Sequence, residues 1–243
     1  MKRYETYKDS GVEWIGNIPS AWDVVEIKTY CDKIFAGATP STGNQDFWDG
    51  DIPWIPSGCC QYKNIETAPK FITQLGFENS STKLIPANTT VMAMTGATCA
   101  NVGYLTFESC ANQSVAAFVE NKSKAISRYL FYLLWAARDY ILIFQTGGAQ
   151  AGINIMDCCN FKVPFLPPSE QQAIAAYLDE KCEAIDAKVS ALEKQKDAYA
   201  RLKKSIINRA VTHGLNNDVE FKDSGVDWIG KIPKNWNLRR IKE

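Results

Sequence analysis

Residues 167–215 read PPSEQQAIAAYLDEKCEAIDAKVSALEKQKDAYARLKKSIINRAVTHGL, and this stretch decides the architecture. Pro167-Pro168 marks a stop, Ser169 offers an N-cap hydroxyl, and Gly214 offers a C-terminal cap. No proline or glycine interrupts the residues between them. That predicts one helix of roughly 65 Å at ~1.5 Å per residue. Leu178, Ile185, Leu192, Tyr199 and Ile206 recur every seven positions, while Cys182 and Val189 follow Leu178 and Ile185 by four. This is a coiled-coil stripe, spoiled on its second seam by Lys196 and Lys203. A lone helix of this length leaves its apolar stripe in water. The chain offers no second rod to cover it, so the partner is expected from a second copy or from a further unit.

Upstream of the helix, residues 23–166 are dense in Gly, Thr, Asn, Trp and Tyr, with short apolar runs. TTVMAMTGA (89–97), NVGYLTF (101–107) and SVAAFVE (114–120) predict strands. SKAISRYLFYLLWAARDYILIF (123–144) predicts one helix that starts near Ser123 or Ser127 and ends at TGG (146–148). The expected fold class is therefore α+β: a mixed α/β domain followed by a long coiled-coil helix.

The two ends of the chain spell one passage twice. YKDSGVEWIGNIPSAWDVVEIK (7–28) and FKDSGVDWIGKIPKNWNLRRIK (221–242) share 13 of 22 positions at a constant offset of 214. That spacing is a whole domain plus a linker, far beyond a solenoid period. Four segments follow: a repeat arm at 1–22, a domain at 23–166, the helix at 167–214, and the start of a second repeat at 215–243. Each arm carries two Trp and two Ile in a short stretch, which suits packing against helix ends or another subunit better than touching nucleic acid.

Charge and chemistry exclude several function classes. The 27 basic and 27 acidic side chains cancel, which leaves no strong electrostatic hold on phosphate. No apolar leader opens the chain, and Arg128, Arg138 and Asp139 break its most apolar stretch, so a cytoplasmic protein with no membrane partner is expected. Eight cysteines without a C-x-x-C, beside a single histidine, suit reduced and mostly buried thiols rather than a zinc cage. GATPSTGN (37–44) lacks the spacing and the Lys-Ser/Thr of a phosphate loop. His213 sits where it complements the helix dipole. The carboxylates are scattered, and nothing assembles a nucleophile, base and oxyanion site. No autonomous catalysis, cofactor or metal site is expected.

KDSGVEWIGNIPSAW, GATPST, GDIPWIPSG, TTVMAMTGATCANVGYL, NQSVAAF, TGGAQAGI and VPFLPPSEQQAIAAYLD, in that order, resemble the specificity subunits of type I restriction–modification systems. The resemblance runs over essentially the whole chain. It implies a target recognition domain that reads half of a bipartite double-stranded DNA site, and a helix that pairs antiparallel with a partner helix. A full subunit of that family has two such domains and two such helices, so this chain resembles a half-length form acting as a homodimer. The resemblance also implies modification (methyltransferase) subunits and a restriction/translocase subunit as partners. S-adenosylmethionine, ATP and magnesium would belong to those partners. Two other readings are a stand-alone DNA-binding regulator, which lacks a visible basic face, and a coiled-coil adapter with no DNA role.

If the domain reads bases, short polar side chains in its loops are the candidates, since Asn and Gln suit adenine and Lys or Arg suits guanine. Those residues are Thr39, Ser41, Asn44, Gln61, Lys63, Thr95, Asn112, Gln113, Gln150 and Asn154. Each of them also suits a turn that satisfies its own backbone.

Overall fold

The computed structural model describes residues 4–147, 151–216 and 218–239. In chain order the elements are β1 (Tyr7–Asp9), β2 (Asn17–Pro19), β3 (Asp23–Glu26), β4 (Cys31–Ala36), β5 (Trp48–Ile55), β6 (Lys63–Ile65) and β7 (Lys70–Ile72). Then come α1 (Gln74–Glu78), β8 (Thr89–Ala93), β9 (Val102–Leu105), β10 (Cys110–Ala111), β11 (Val115–Glu120), α2 (Ser127–Ala136) and α3 (Arg138–Leu142). The last are α4 (Ile155–Asn160), β12 (Lys162–Phe165), α5 (Pro168–His213), β13 (Phe221–Asp223) and β14 (Lys231–Pro233). The fold is α+β, and it divides into two compact units, Met1–Asp179 and Glu180–Glu243.

The first unit is built on a five-stranded sheet in the order β4-β11-β8-β9-β6, antiparallel except for the β6–β9 pair. All five residues of β8 are buried, because the strand is covered on both faces. Val91 and Ala93 join Ile55, Ile65, Leu105 and Val115 in one cluster. On the other side the Thr90 hydroxyl donates to the Ser127 carbonyl (2.7 Å), tying β8 to the start of α2. Double coverage explains why Val91–Met94 reads as an unbroken apolar run. A second sheet, β10-β5-β7, buries Trp54, Ile72 and Cys110. The antiparallel β3–β12 pair sets Asp23–Glu26 against Lys162–Phe165 and so lays the chain's path into the domain beside its path out.

Two local readings of the sequence change. Residues 123–144 form two helices, because the chain turns at the fully buried Ala137 (φ −78°, ψ 2°). That turn buries Ile141 and sets the Tyr140 ring edge-on to Phe144 and Phe161. The second change is at α5, which opens at Pro168 with Ser169 already inside the first turn. The Pro167 carbonyl accepts from Glu170 N and Gln171 N, and proline at the first helical position gives up only an N–H that has no partner there.

The first turns of α5 belong to the first unit and are held by polar contacts. Gln171 is fully buried and fully paired: its oxygen accepts from Ile126 N (2.9 Å), and its nitrogen donates to the Lys124 and Leu166 carbonyls. Asp179 accepts from Arg128 Nε (2.7 Å) and from the Tyr132 hydroxyl (2.6 Å). The Arg128 guanidinium also lies 4.8–5.2 Å from the ring centres of Tyr104, Phe131 and Tyr132. A cation desolvated among three rings is held firmly only with a carboxylate beside it.

In the second unit α5 ends at Gly214, whose φ of +75° is the left-handed cap that glycine provides. Ile185, Leu192, Tyr199 and Ile206 are 60, 53, 62 and 59% exposed. Leu202, Ile207 and Val211 add further exposed apolar surface toward the end of the helix.

The two repeats fold alike. β1 pairs with β2 in the register Tyr7↔Pro19, and β13 pairs with β14 in the register Phe221↔Pro233, each residue 214 positions on. Ser10 N donates to Gly16 O and Ser224 N to Gly230 O, both at 3.0 Å. Gly11 and Gly225 take φ of +70° and +69°. Thirteen residues thus fold the same hairpin in two settings, so its shape is fixed locally.

Candidate nucleic-acid interface

The sheet register gathers the candidate residues. Ala36 pairs with Ala116, Ala93 with Val115, Met92 with Val102, and Lys63 with Gly103. The end of β4, the end of β8 and the starts of β11, β9 and β6 therefore share one edge of the sheet. Four loops leave from that edge: 37–47, 56–62, 94–101 and 112–114. Thr39, Ser41, Asn44, Gln61, Thr95, Asn112 and Gln113 lie in them, and Lys63 is the first residue of β6. The connection from β11 into α2, which Gln171 grips, lies at the opposite end of the sheet.

Backbone bonds join the loops to one another. Ala38 N donates to Ala111 O (2.9 Å), Asn112 N to Ile55 O (3.0 Å), and Met94 N to Ser114 O (2.8 Å). Residues 151–153 come in through Thr95↔Gly152 pairing and through Ile153 N, which donates to Met94 O. Gly37 permits the closest approach, since a Cβ there would stand 2.1 Å from the Ala111 carbonyl oxygen. The Thr39 hydroxyl then reaches the Gln113 side-chain oxygen at 2.5 Å, so two candidates from distant segments share a bond.

Several candidates have local duties. Asn44 caps the turn at Gln45–Phe47 by accepting from Asp46 N, and Asn112 accepts from Ser114 N. Gln61 donates to the Gly58 carbonyl (2.9 Å). Asn154 forms a capping box with Asp157 at the start of α4. The Ser41 carbonyl accepts from Trp48 Nε1 (3.2 Å). Gln150 lies outside the described residues. Lys63 is exposed at the same edge.

Aromatic groups that the search for polar side chains passed over stand nearby. Tyr62, at φ +57°, packs its ring 4.9 Å from Trp135 and donates its hydroxyl to Asn101 (2.6 Å). Lys70 Nζ lies 5.5 Å from the Trp48 ring centre. An aromatic residue between turn signals is the sequence mark that finds them, because bases and sugars present flat faces as well as polar edges.

The eight cysteines are free. Burial pushes the Cys31 thiol up to about 12, and it raises Cys60 and Cys158 further, so these remain protonated. Among the described residues no cluster of three metal-ligating side chains occurs, and no helix is long and apolar enough to cross a membrane.

The family model described as type I restriction modification DNA specificity domain matches residues 19–198. The chain therefore belongs to that family. It is 27% identical over 250 positions to the type I restriction enzyme MjaIX specificity subunit of Methanocaldococcus jannaschii, covering 98% of this chain and 54% of that one. It is 28% identical over 182 positions to the EcoR124I/EcoR124II specificity subunit of Escherichia coli, covering 72% and 42%. Among solved structures, it superposes with a TM-score of 0.70 and 19% identity on a chain from a study of assembly and conformational transition of the type I R-M system, covering 86% and 49%. With the HsdS subunit of Thermoanaerobacter tengcongensis the TM-score is 0.58 at 20% identity, over 87% and 49%. The chain thus spans about half the length of the curated relatives it matches.

Proposed function

We propose that this chain is the non-catalytic DNA-reading subunit of a type I restriction–modification assembly, with each copy reading one half of a bipartite target. The observation that carries the reading is the gathering of four polar loops, three of them glycine-containing, at one edge of a sheet whose opposite end grips α5. Base edges are read in the groove by such short polar groups, while phosphate contacts mainly position the protein. Thr39 and Gln113, bonded to each other, and the exposed Lys63 are the leading readers, with Thr95 and Tyr62 beside them.

Two copies pair their α5 helices antiparallel, and Leu178, Cys182, Ile185, Val189, Leu192, Tyr199 and Ile206 form the seam. The exposure of Ile185, Val189, Leu192, Tyr199 and Ile206 supports the pairing, since burying a side chain such as Ile or Leu stabilises by about 1.5–3 kcal/mol. A two-fold dimer presents two equal readers, so the target is a repeated half-site with a fixed gap. Methyl transfer, and ATP- and magnesium-dependent cleavage, would belong to modification and restriction subunits docked on this core in the cytoplasm. The balanced charge supports that division, because the phosphate grip then comes from partners.

The test is sedimentation of the wild-type chain beside an Ile185→Lys/Leu192→Lys variant. A wild-type dimer and a folded monomeric variant are expected. A wild-type monomer at micromolar concentration overturns the pairing. Mapping methylated sites in cells that hold this chain and a modification subunit then tests the symmetric, interrupted target. Methylation at sites without a repeated half-site would overturn it.

A further inference from the structure

Both repeats fold the same hairpin, yet their tryptophans stand differently. In the first repeat Trp14 stacks on Tyr140 with ring centres 5.6 Å apart and planes at 22°. Its Nε1 donates to the Lys162 carbonyl (3.2 Å), on the strand that closes the recognition domain. Tyr140 and Lys162 thus form a seat with a flat aromatic floor and a carbonyl at its rim. In the second repeat the equivalent residue, Trp228, is 74% exposed. Among the described residues it has neither a ring partner nor a hydrogen bond. Trp228 borders a shallow apolar hollow with Val211, Ile229, Ile232, Trp236 and Leu238. The segment after each hairpin differs in the same sense. Asp23–Glu26 is a strand on β12, whereas Asn237–Arg239, the matching residues, form no strand.

We infer that the second hairpin is a docking device for the recognition domain of a second copy, where Trp228 takes the seat formed by Tyr140 and Lys162. The first hairpin supplies the template for the occupant: the same tryptophan, in the same local fold, already makes both contacts. An exposed indole leaves a large apolar ring in water and needs an acceptor for its N–H once buried, so it fits a site that offers a ring face and an acceptor together. Antiparallel pairing of α5, on which this inference rests, brings the end of one helix beside the start of the other copy's helix. Each domain then has one seat and two claimants, its own Trp14 and the partner's Trp228. The hairpins can exchange because their backbones match residue for residue. Two-fold symmetry makes the contact twice per dimer, which doubles its effect on association.

The experiment is a set of dimer dissociation constants from sedimentation on the full chain: wild type, Trp228→Ala, Trp14→Ala, Tyr140→Ala, and Trp228→Ala combined with each of the other two. Circular dichroism checks folding, and Trp228→Ala leaves it unchanged because that side chain is exposed. Because Trp14 already fills the seat and two equal claimants share it, Trp228→Ala is expected to weaken the wild-type dimer only a few-fold, about four-fold for two seats. In the Trp14→Ala background, where the seat stands vacant, the loss is larger. With Tyr140→Ala, changing Trp228 as well has no added effect. A wild-type chain that dimerises with no response to Trp228→Ala in either background overturns this inference and leaves helix pairing intact. A monomeric wild type overturns both. Losses at Trp228 and Tyr140 that simply add show that the two do not meet, and they too overturn it.

Discussion

Gly37 sets how closely two loops of the candidate interface can approach. With a side chain there, the Cβ would meet the Ala111 backbone at 2.1 to 2.5 Å, and neither strand end can yield cheaply. Gly37→Ala is therefore expected to cost at least about 2 kcal/mol in urea unfolding and to separate Thr39 from Gln113. Thr39→Val and Gln113→Ala, by contrast, remove one exposed hydrogen bond. They are expected to change stability by under about 1 kcal/mol while altering which methylated half-site is recovered. At this scale the sequence was only partly legible. Thr39, Asn44, Asn112 and Asn154 share the same composition signal, because a cap and a base reader both need a short polar group in a bend. Only the fold shows that Asn44 and Asn154 are engaged with their own backbone, while Thr39 reaches another loop. Buried thiols give a simple check on the interior: iodoacetamide at pH 8 should leave Cys60 and Cys158 unmodified until denaturant is added.

Among the elements, α5 and the strands β8, β9 and β11 were readable because each carries an unbroken period or apolar run. The turn at Ala137 was not, since alanine is the best helix former and nothing local announces a break. The β3–β12 ladder was also invisible, because it joins segments far apart in the chain and each is only four residues long. The anchoring of α5 was hidden for another reason: Asp179 looks like any solvated helix carboxylate until Arg128 and Tyr132 are seen around it. Asp179→Ala should leave Arg128 half-buried among three rings without its anion. About 1–3 kcal/mol of stability is expected to be lost in denaturant titration, with Asp179→Asn losing less. An unchanged midpoint would mean that the ring contacts and the bond to Asn64 hold the arginine.

For the molecule as a whole, the equal counts of acid and base set the terms of DNA binding. If few phosphates are neutralised, the salt dependence of binding by the chain alone should be shallow, with a log–log slope smaller in magnitude than about 3. Fluorescence anisotropy across a salt series measures it, and a steep slope would mean that a basic surface is at work in the fold. Modification subunits should steepen the slope as they add their own grip.

The β3–β12 ladder has a consequence for how such proteins change. Because the chain enters and leaves the domain on neighbouring strands, everything between Glu26 and Lys162 is a cartridge hung on two adjacent threads. A different cartridge that kept the two end strands and the 124–132 segment gripping Gln171 and Asp179 would slot in without disturbing the start of the stalk. Under the proposed function, new target preferences would then arise by one crossover at each seam, while the long helix is inherited untouched.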